Sequence, residues 1–137
     1  MLYTGSCHCG AVRFEVEADE RPVVLDCNCS ICRMTGYLHL IVPRSRFRLL
    51  QGEDRLATYA FGTGVAKHYF CRTCGIKPFY VPRSNPDGYD INVRCLAPQP
   101  ASMTLEPFDG ANWEAHGACL AHLSKEPEAK NTPRARG

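Results

Sequence analysis

The chain has 137 residues, 45% hydrophobic and 22% charged, the composition of one globular domain with a modest core. Those proportions exclude a disordered, collagenous or coiled-coil protein, and the longest apolar runs, at 23–25 and 40–42, are far too short to cross a bilayer. The net charge of +2 belongs to the stretch from Lys125 to Gly137; the residues before it carry equal numbers of acidic and basic side chains, so no basic face for nucleic acid is expected.

From Val12 the apolar residues alternate through Phe14 and Val16, and a period of two predicts a half-buried strand over 12–16. A turn at 18–22 leads to a short strand at 23–25. Further strands are predicted at 38–42, 46–50, 55–61 and 65–70, the last two flanking a hairpin loop at Gly62-Thr63-Gly64. Pro78 and Pro82 bracket Phe79–Val81, which reads as an edge strand at best. The turn residues Ser84-Asn85-Pro86-Asp87-Gly88 precede an alternation of Tyr89, Ile91, Val93 and Cys95 that places Cys95 on the apolar face of a strand. Only residues 112–123, where Trp113, His116, Leu120 and Leu123 recur every three or four positions, read as a helix. The prediction is a mainly-β single domain over residues 1–124, one short C-terminal helix, and a flexible tail at 125–137.

Nine cysteines dominate the chemistry. The N-terminus has neither a basic nor an apolar signal region, so a cytoplasmic setting is expected, in which clustered cysteines hold metal or do thiol chemistry rather than form disulfides. Seven lie in three clusters: Cys7/Cys9, Cys27/Cys29/Cys32 and Cys71/Cys74. Thiolates one to four residues apart bend onto one ion, and a glycine after the second, as at Gly10 and Gly75, suits a knuckle whose N–H groups point at sulfur. The simplest division is a closed four-cysteine structural site, Cys7, Cys9, Cys71 and Cys74, with Cys27, Cys29 and Cys32 leaving an open position of catalytic type. Pairing Cys7/Cys9 with Cys27/Cys29 satisfies the spacing equally.

The alternatives for the second site are a water, a substrate thiol, Cys95 or His39 as fourth ligand; His39 is also a candidate general base. Cys119 reads as a packing residue in the helix, and His8, His68, His116 and His122 as surface or packing residues. A redox enzyme would need Cys95 or Cys119 accessible and acidic, which their apolar neighbours oppose.

The runs G-S-C-H-C-G-A-V-R-F-E-V, D-C-N-C-S-I-C-R, F-C-R-T-C-G, P-R-S-N-P-D-G and F-D-G-A-N-W-E, in this order, resemble the glutathione-dependent formaldehyde-activating family, and within it the domain found in centromere protein V. The resemblance implies coiled antiparallel β-sheets organised around zinc, two Zn²⁺ per chain, the first on Cys7, Cys9, Cys71 and Cys74 and the second on Cys27, Cys29 and Cys32. It also implies carbon–sulfur lyase chemistry on a thiol–aldehyde adduct such as S-hydroxymethylglutathione, made from glutathione and formaldehyde. Ala97 stands where the family pattern favours an acidic residue. The basic, proline-rich extension of centromere protein V has no counterpart in the six residues before Cys7, so chromatin or microtubule roles are not expected.

An anionic thiol needs a cation nearby. Arg33, next to Cys32, is the first candidate for substrate binding, with Arg72 and Lys77 next. A zinc-stabilised binding module without turnover is the rival function, and the oligomeric state is left open. The expected partner is a small thiol rather than nucleic acid or a membrane.

Overall fold

The computed structural model describes residues 1–125 and is built from ten strands in two sheets. The expected tail, beyond Lys125, lies outside the described residues. A three-stranded antiparallel sheet has the order β1 (Leu2–Ser6), β2 (Arg13–Glu17), β5 (Phe47–Gln51). A seven-stranded sheet runs from β10 (Thr104–Phe108) through β3 (Val23–Cys27), β4 (Leu38–Pro43), β9 (Gly88–Asn92), β8 (Phe79–Val81) and β7 (Lys67–Cys71) to β6 (Leu56–Tyr59). All pairings are antiparallel except β10 with β3. Neither sheet closes into a barrel.

The period-two alternation sorts the large sheet into two faces. Val24, Leu40, Val42, Phe79 and Ile91 point to one side and pack with Tyr3, Phe14 and Val16 of the small sheet, forming the core. Phe14, Phe47, Phe79 and Tyr89 fill its centre, with ring centroids 4.4–6.0 Å apart. The strand register puts Leu25 opposite His39, Ile41 opposite Asp90, Asp90 opposite Tyr80, and Tyr80 opposite His68. These six residues therefore share the other face, the face of the candidate site.

Several features depart from the sequence expectation, among them two strands it did not anticipate, β1 and β10. β8 is interior, paired on both sides, because Pro78 and Pro82 lie just outside its ends and leave the ladder groups of Phe79–Val81 free. A short helix, α1 (Ser30–Thr35), follows Cys29 and ends at Gly36 in the left-handed conformation, φ 68°. The predicted strand at 89–95 stops at Asn92; Val93–Cys95 is a 3-10 turn capped by the Asn92 side chain, so Cys95 is half-buried on a turn rather than on a strand face. The C-terminal helix is a single α turn, α2 (Trp113–His116), continued as 3-10 turns over Gly117–Ser124. Cys119 on that stretch is exposed, not packed.

Asn85, fully buried in the Ser84–Gly88 turn, donates to Leu120 O at 2.8 Å and Ser124 Oγ at 2.9 Å, and so fastens this C-terminal stretch to the sheet. Among the described residues, no helix is long and apolar enough to cross a membrane.

Candidate functional site

All nine cysteines are free thiols, and six of them fall into two metal-capable groups. The Sγ atoms of Cys7, Cys9, Cys71 and Cys74 all lie within 4.8 Å of one another. Cys7–Cys9 and Cys9–Cys71 are 3.6 and 3.7 Å apart. A tetrahedral ion with 2.3 Å bonds to sulfur needs edges of about 3.8 Å, so this donor set fits one metal ion.

The local chain is shaped for thiolates. Gly10 (φ 81°) and Gly75 (φ 78°) turn the two knuckles, and Val12 N and Thr73 N each donate to a sulfur, Cys7 and Cys71, at 3.4 Å. Burial pushes the Cys71 thiol up, but N–H groups of Cys74 and Thr73 and the neighbouring thiols outweigh it and hold it at about 6. Cys7 and Cys71 are buried with Val12, against Leu49 and Leu56, so the group joins the small sheet to the far end of the large one.

The second place lies on the opposite face of the large sheet. Cys27 Sγ, Cys32 Sγ and a ring nitrogen of His39 lie within 4.8 Å of one another, a donor set that could hold an ion. Cys29 sits against them: hydrogen bonds from Cys27 and Cys32 hold its thiol well below the usual range. Cys27 ends β3, Cys29 precedes α1, and the first turn of α1 brings Cys32 back beside both.

His39 comes from β4 and is diagonal to Asp90 across the β4–β9 pair. Its Nδ1 is 2.7 Å from Asp90 Oδ2 and its Nε2 3.1 Å from Cys32 Sγ, with both side chains buried. A carboxylate oxygen accepts, which assigns the ring proton to Nδ1 and turns the Nε2 lone pair toward the thiols. Tyr37 and Tyr80 pack against the ring at 4.6 and 5.9 Å. The Lys77 ammonium lies 3.8 Å over the Tyr80 ring without a hydrogen-bond partner, and burial holds it down at about 8.

A cleft of about 190 Å³ opens above this group. Its floor holds Cys27, Cys29, Cys32, His39 and Asp90. Gly110 closes one side so tightly that a Cβ there would stand 2.3 Å from Cys27 Sγ. Asn28, between two of the cysteines, donates to Asp109 at 3.0 Å and accepts from Ala111 N at 2.8 Å, tying the cysteine loop to this segment. On the far wall His68, stacked on Tyr80 at 4.6 Å, is held down at about 4 by burial and is neutral at pH 7.

The family model for the glutathione-dependent formaldehyde-activating enzyme matches residues 2–108 of the chain. The chain belongs to that family. A protein of Halomonas elongata that carries the family's name is 34% identical over 82 residues, a stretch that spans 54% of this chain and 52% of that relative's length. A crystal structure of a Rhodobacter sphaeroides protein, 40% identical, superposes with a TM-score of 0.64 over 75% of this chain and 99% of that one. The formaldehyde-activating family match ends at Phe108, just before the segment with Gly110 and Trp113 that walls the cleft.

The structure groups Cys7, Cys9, Cys71 and Cys74, and separately Cys27 and Cys32 with His39, the alternative ligand of the sequence reading; Arg33, Arg72 and Cys95 lie elsewhere. Arg33 is exposed on α1 and is not among the residues lining the cleft; Arg72 is exposed and donates to Leu56 O. Cys95 packs against the core, its thiol raised to about 12 by burial, and it joins neither metal-capable group. Asp90, Gly110 and Arg83, to which the sequence assigned no role, all line the cleft. Asp90 carried one signal: it alternates in step with Tyr80 and His39 on the face that period two assigns to solvent, and that face is in fact covered.

Proposed function

We propose that the protein is a zinc-dependent carbon–sulfur lyase that splits a thiol–aldehyde adduct, of which S-hydroxymethylglutathione is the family's example. In this reading Cys7, Cys9, Cys71 and Cys74 hold a structural Zn²⁺, and Cys27, Cys29 and Cys32 hold a second on the cleft floor, two ions per chain. The observation that carries it is the cleft itself: three thiols and an oriented His39–Asp90 pair meet at its floor. Zinc bound there would supply the positive charge that keeps a substrate sulfur as thiolate.

The chain's own residues supply the proton chemistry. The Nε2 lone pair of His39, presented by Asp90, takes the proton from the adduct hydroxyl. As the oxygen closes to a carbonyl the carbon–sulfur bond breaks, and its electron pair leaves with sulfur. The proton then passes to the departing thiol, so R–S–CH2–OH becomes R–SH and formaldehyde with no change of oxidation state. The reverse sequence joins thiol and aldehyde. Nine unpaired cysteines suit a reducing compartment such as the cytoplasm, and the balanced charge of the domain suits a small-molecule partner rather than nucleic acid.

One observation favours a second reading. His39 Nε2 stands 3.1 Å from Cys32 Sγ, close enough to act as the fourth donor and close the site, which would make the protein a zinc-stabilised binding module. The two separate on the rate at which formaldehyde exchanges between a thiol adduct and free thiol, followed by NMR with zinc-loaded protein. The lyase reading expects acceleration that Cys32→Ser abolishes. No acceleration by the wild-type protein leaves the binding module.

A further inference from the structure

The walls of the cleft say which thiol suits it. Above the cysteines the lining is Leu25, Ile31, Phe61, Phe108, Trp113 and Leu120. Glutathione carries two carboxylates and an ammonium, and burying such charges without partners costs several kcal/mol each.

Cations to receive them are scarce. Arg83 lines the cleft, but its guanidinium lies 3.8 Å over the Trp113 ring, and its Nη2 donates to Glu114 Oε1 at 2.5 Å. Lys77 is buried against the Tyr80 and Tyr37 rings and does not line the cleft, and neither Arg33 nor Arg72 does. Of the other polar groups lining the space, Asp90 and the three thiols repel a carboxylate, Thr63, Ser84 and Tyr80 offer only uncharged hydroxyls, His39 is held by Asp90, and His68 is neutral, so none supplies a positive charge.

A row of rings continues outward from the wall. Tyr80, His68 and Phe61 stack in turn at 4.6 and 5.4 Å, and Phe61 stacks on Tyr59 at 5.5 Å. Phe61 is 47% exposed at the tip of the β6–β7 hairpin, a large apolar surface left beside the cleft.

We infer that the cleft takes the aldehyde adduct of an apolar thiol, one with an aromatic or branched-alkyl body, in preference to that of a charged peptide thiol. The inference rests on the lyase reading for the adduct but not for the apolar body, which Phe61, Phe108 and Trp113 hold by ring contact and burial. The sulfur reaches the thiol floor while the organic body lies along these rings.

Trp113 is the only tryptophan in the chain, so its fluorescence reports occupancy without turnover. The experiment titrates zinc-loaded full-length protein with 2-phenylethanethiol and with glutathione under anaerobic conditions. The phenyl thiol is expected to bind at least tenfold more tightly, and Phe61→Ser, a change at an exposed position that leaves folding intact, to lower that preference at least threefold. Arg83→Gln is expected to leave glutathione binding unchanged.

Equal or tighter binding of glutathione, or a selective loss of glutathione binding in Arg83→Gln, overturns the inference. The formaldehyde adducts of both thiols are then assayed for cleavage. If neither is cleaved while the order of affinities holds, the lyase reading fails and the apolar preference stands. If both are cleaved with no preference in kcat/KM or affinity, the lyase reading stands and the apolar preference is overturned.

Discussion

The two cysteine groups use the same ligand chemistry and are built for different work. The first, Cys7, Cys9, Cys71 and Cys74, has four sulfurs, glycine-turned knuckles, N–H groups aimed at sulfur and an apolar bed of Val12, Leu49 and Leu56. It bridges segments more than sixty residues apart in sequence. The second gathers its sulfurs from one short loop and helix, adds a buried His39–Asp90 pair, and faces open space. What separates the two metal-capable groups is therefore the surroundings of the sulfurs: an apolar bed and chain-bridging in one, a proton-holding pair and a void in the other.

The largest expected difference lies in stability. A structural zinc contributes on the order of 10 kcal/mol to folding, comparable with the whole stability of a domain this size. Cys71→Ser should therefore leave the chain unfolded at room temperature, whereas Cys32→Ser should keep a cooperative thermal transition. Circular dichroism melts of both variants check this, and equal loss in the two would erase the distinction.

Next comes chemistry at the second group alone. His39→Gln is expected to lower the rate of adduct cleavage by about 10²–10⁴-fold, the usual contribution of a positioned acid–base residue. Asp90→Asn, which removes the carboxylate partner of Nδ1, should cost about 10–100-fold in activity or metal affinity. Steady-state kinetics with metal analysis of each variant test both, and an unchanged rate in His39→Gln removes histidine from the mechanism.

Gly110→Ala probes the same region from its wall. The added methyl would sit 2.3 Å from Cys27 Sγ, so a metal affinity at least tenfold weaker at the second group is expected with the first untouched. Competition with a chelator, read as two separable steps, reports it.

The smallest effect is a pH dependence. His68 is held at about 4 in the folded protein, against an ordinary value of 6.5, mainly by burial. The unfolded chain therefore takes up this proton first as pH falls. The wild type should lose stability between about pH 6.5 and 4, by about 1–2 kcal/mol once solvent screening is allowed for. His68→Phe should remove that component, and the difference between the two melting profiles over this range isolates it from the loss of metal at low pH.

Much of this was legible in the sequence, and unevenly so. Strand β2 announced itself through alternation because Phe14 and Val16 are fully buried while Arg13 and Glu17 are exposed. β10 did not, since Thr104–Pro107 are all exposed and the segment contains a proline, which leaves no buried stripe to repeat. The closeness of Cys7 to Cys9 and of Cys71 to Cys74 was legible in spacing and glycines, as the local chain does the work of bringing each pair together, whereas which pairs share an ion was not.

What the spacing could not give is the partner of His39. Asp90 is fifty-one residues away, and only the β4–β9 register brings the two into contact. Likewise Arg33 is adjacent to Cys32 in sequence, but α1 turns it to solvent, while Arg83 arrives at the cleft through the turn that anchors the C-terminal stretch.

The most direct test of the contrast is metal content per chain together with the spectrum of the cobalt-substituted protein as thiol is added. The account predicts two ions per chain and thiolate-to-cobalt charge-transfer bands of which one set shifts with thiol while the other stays fixed. Two ions with no response, or a single ion after full reconstitution, would contradict it.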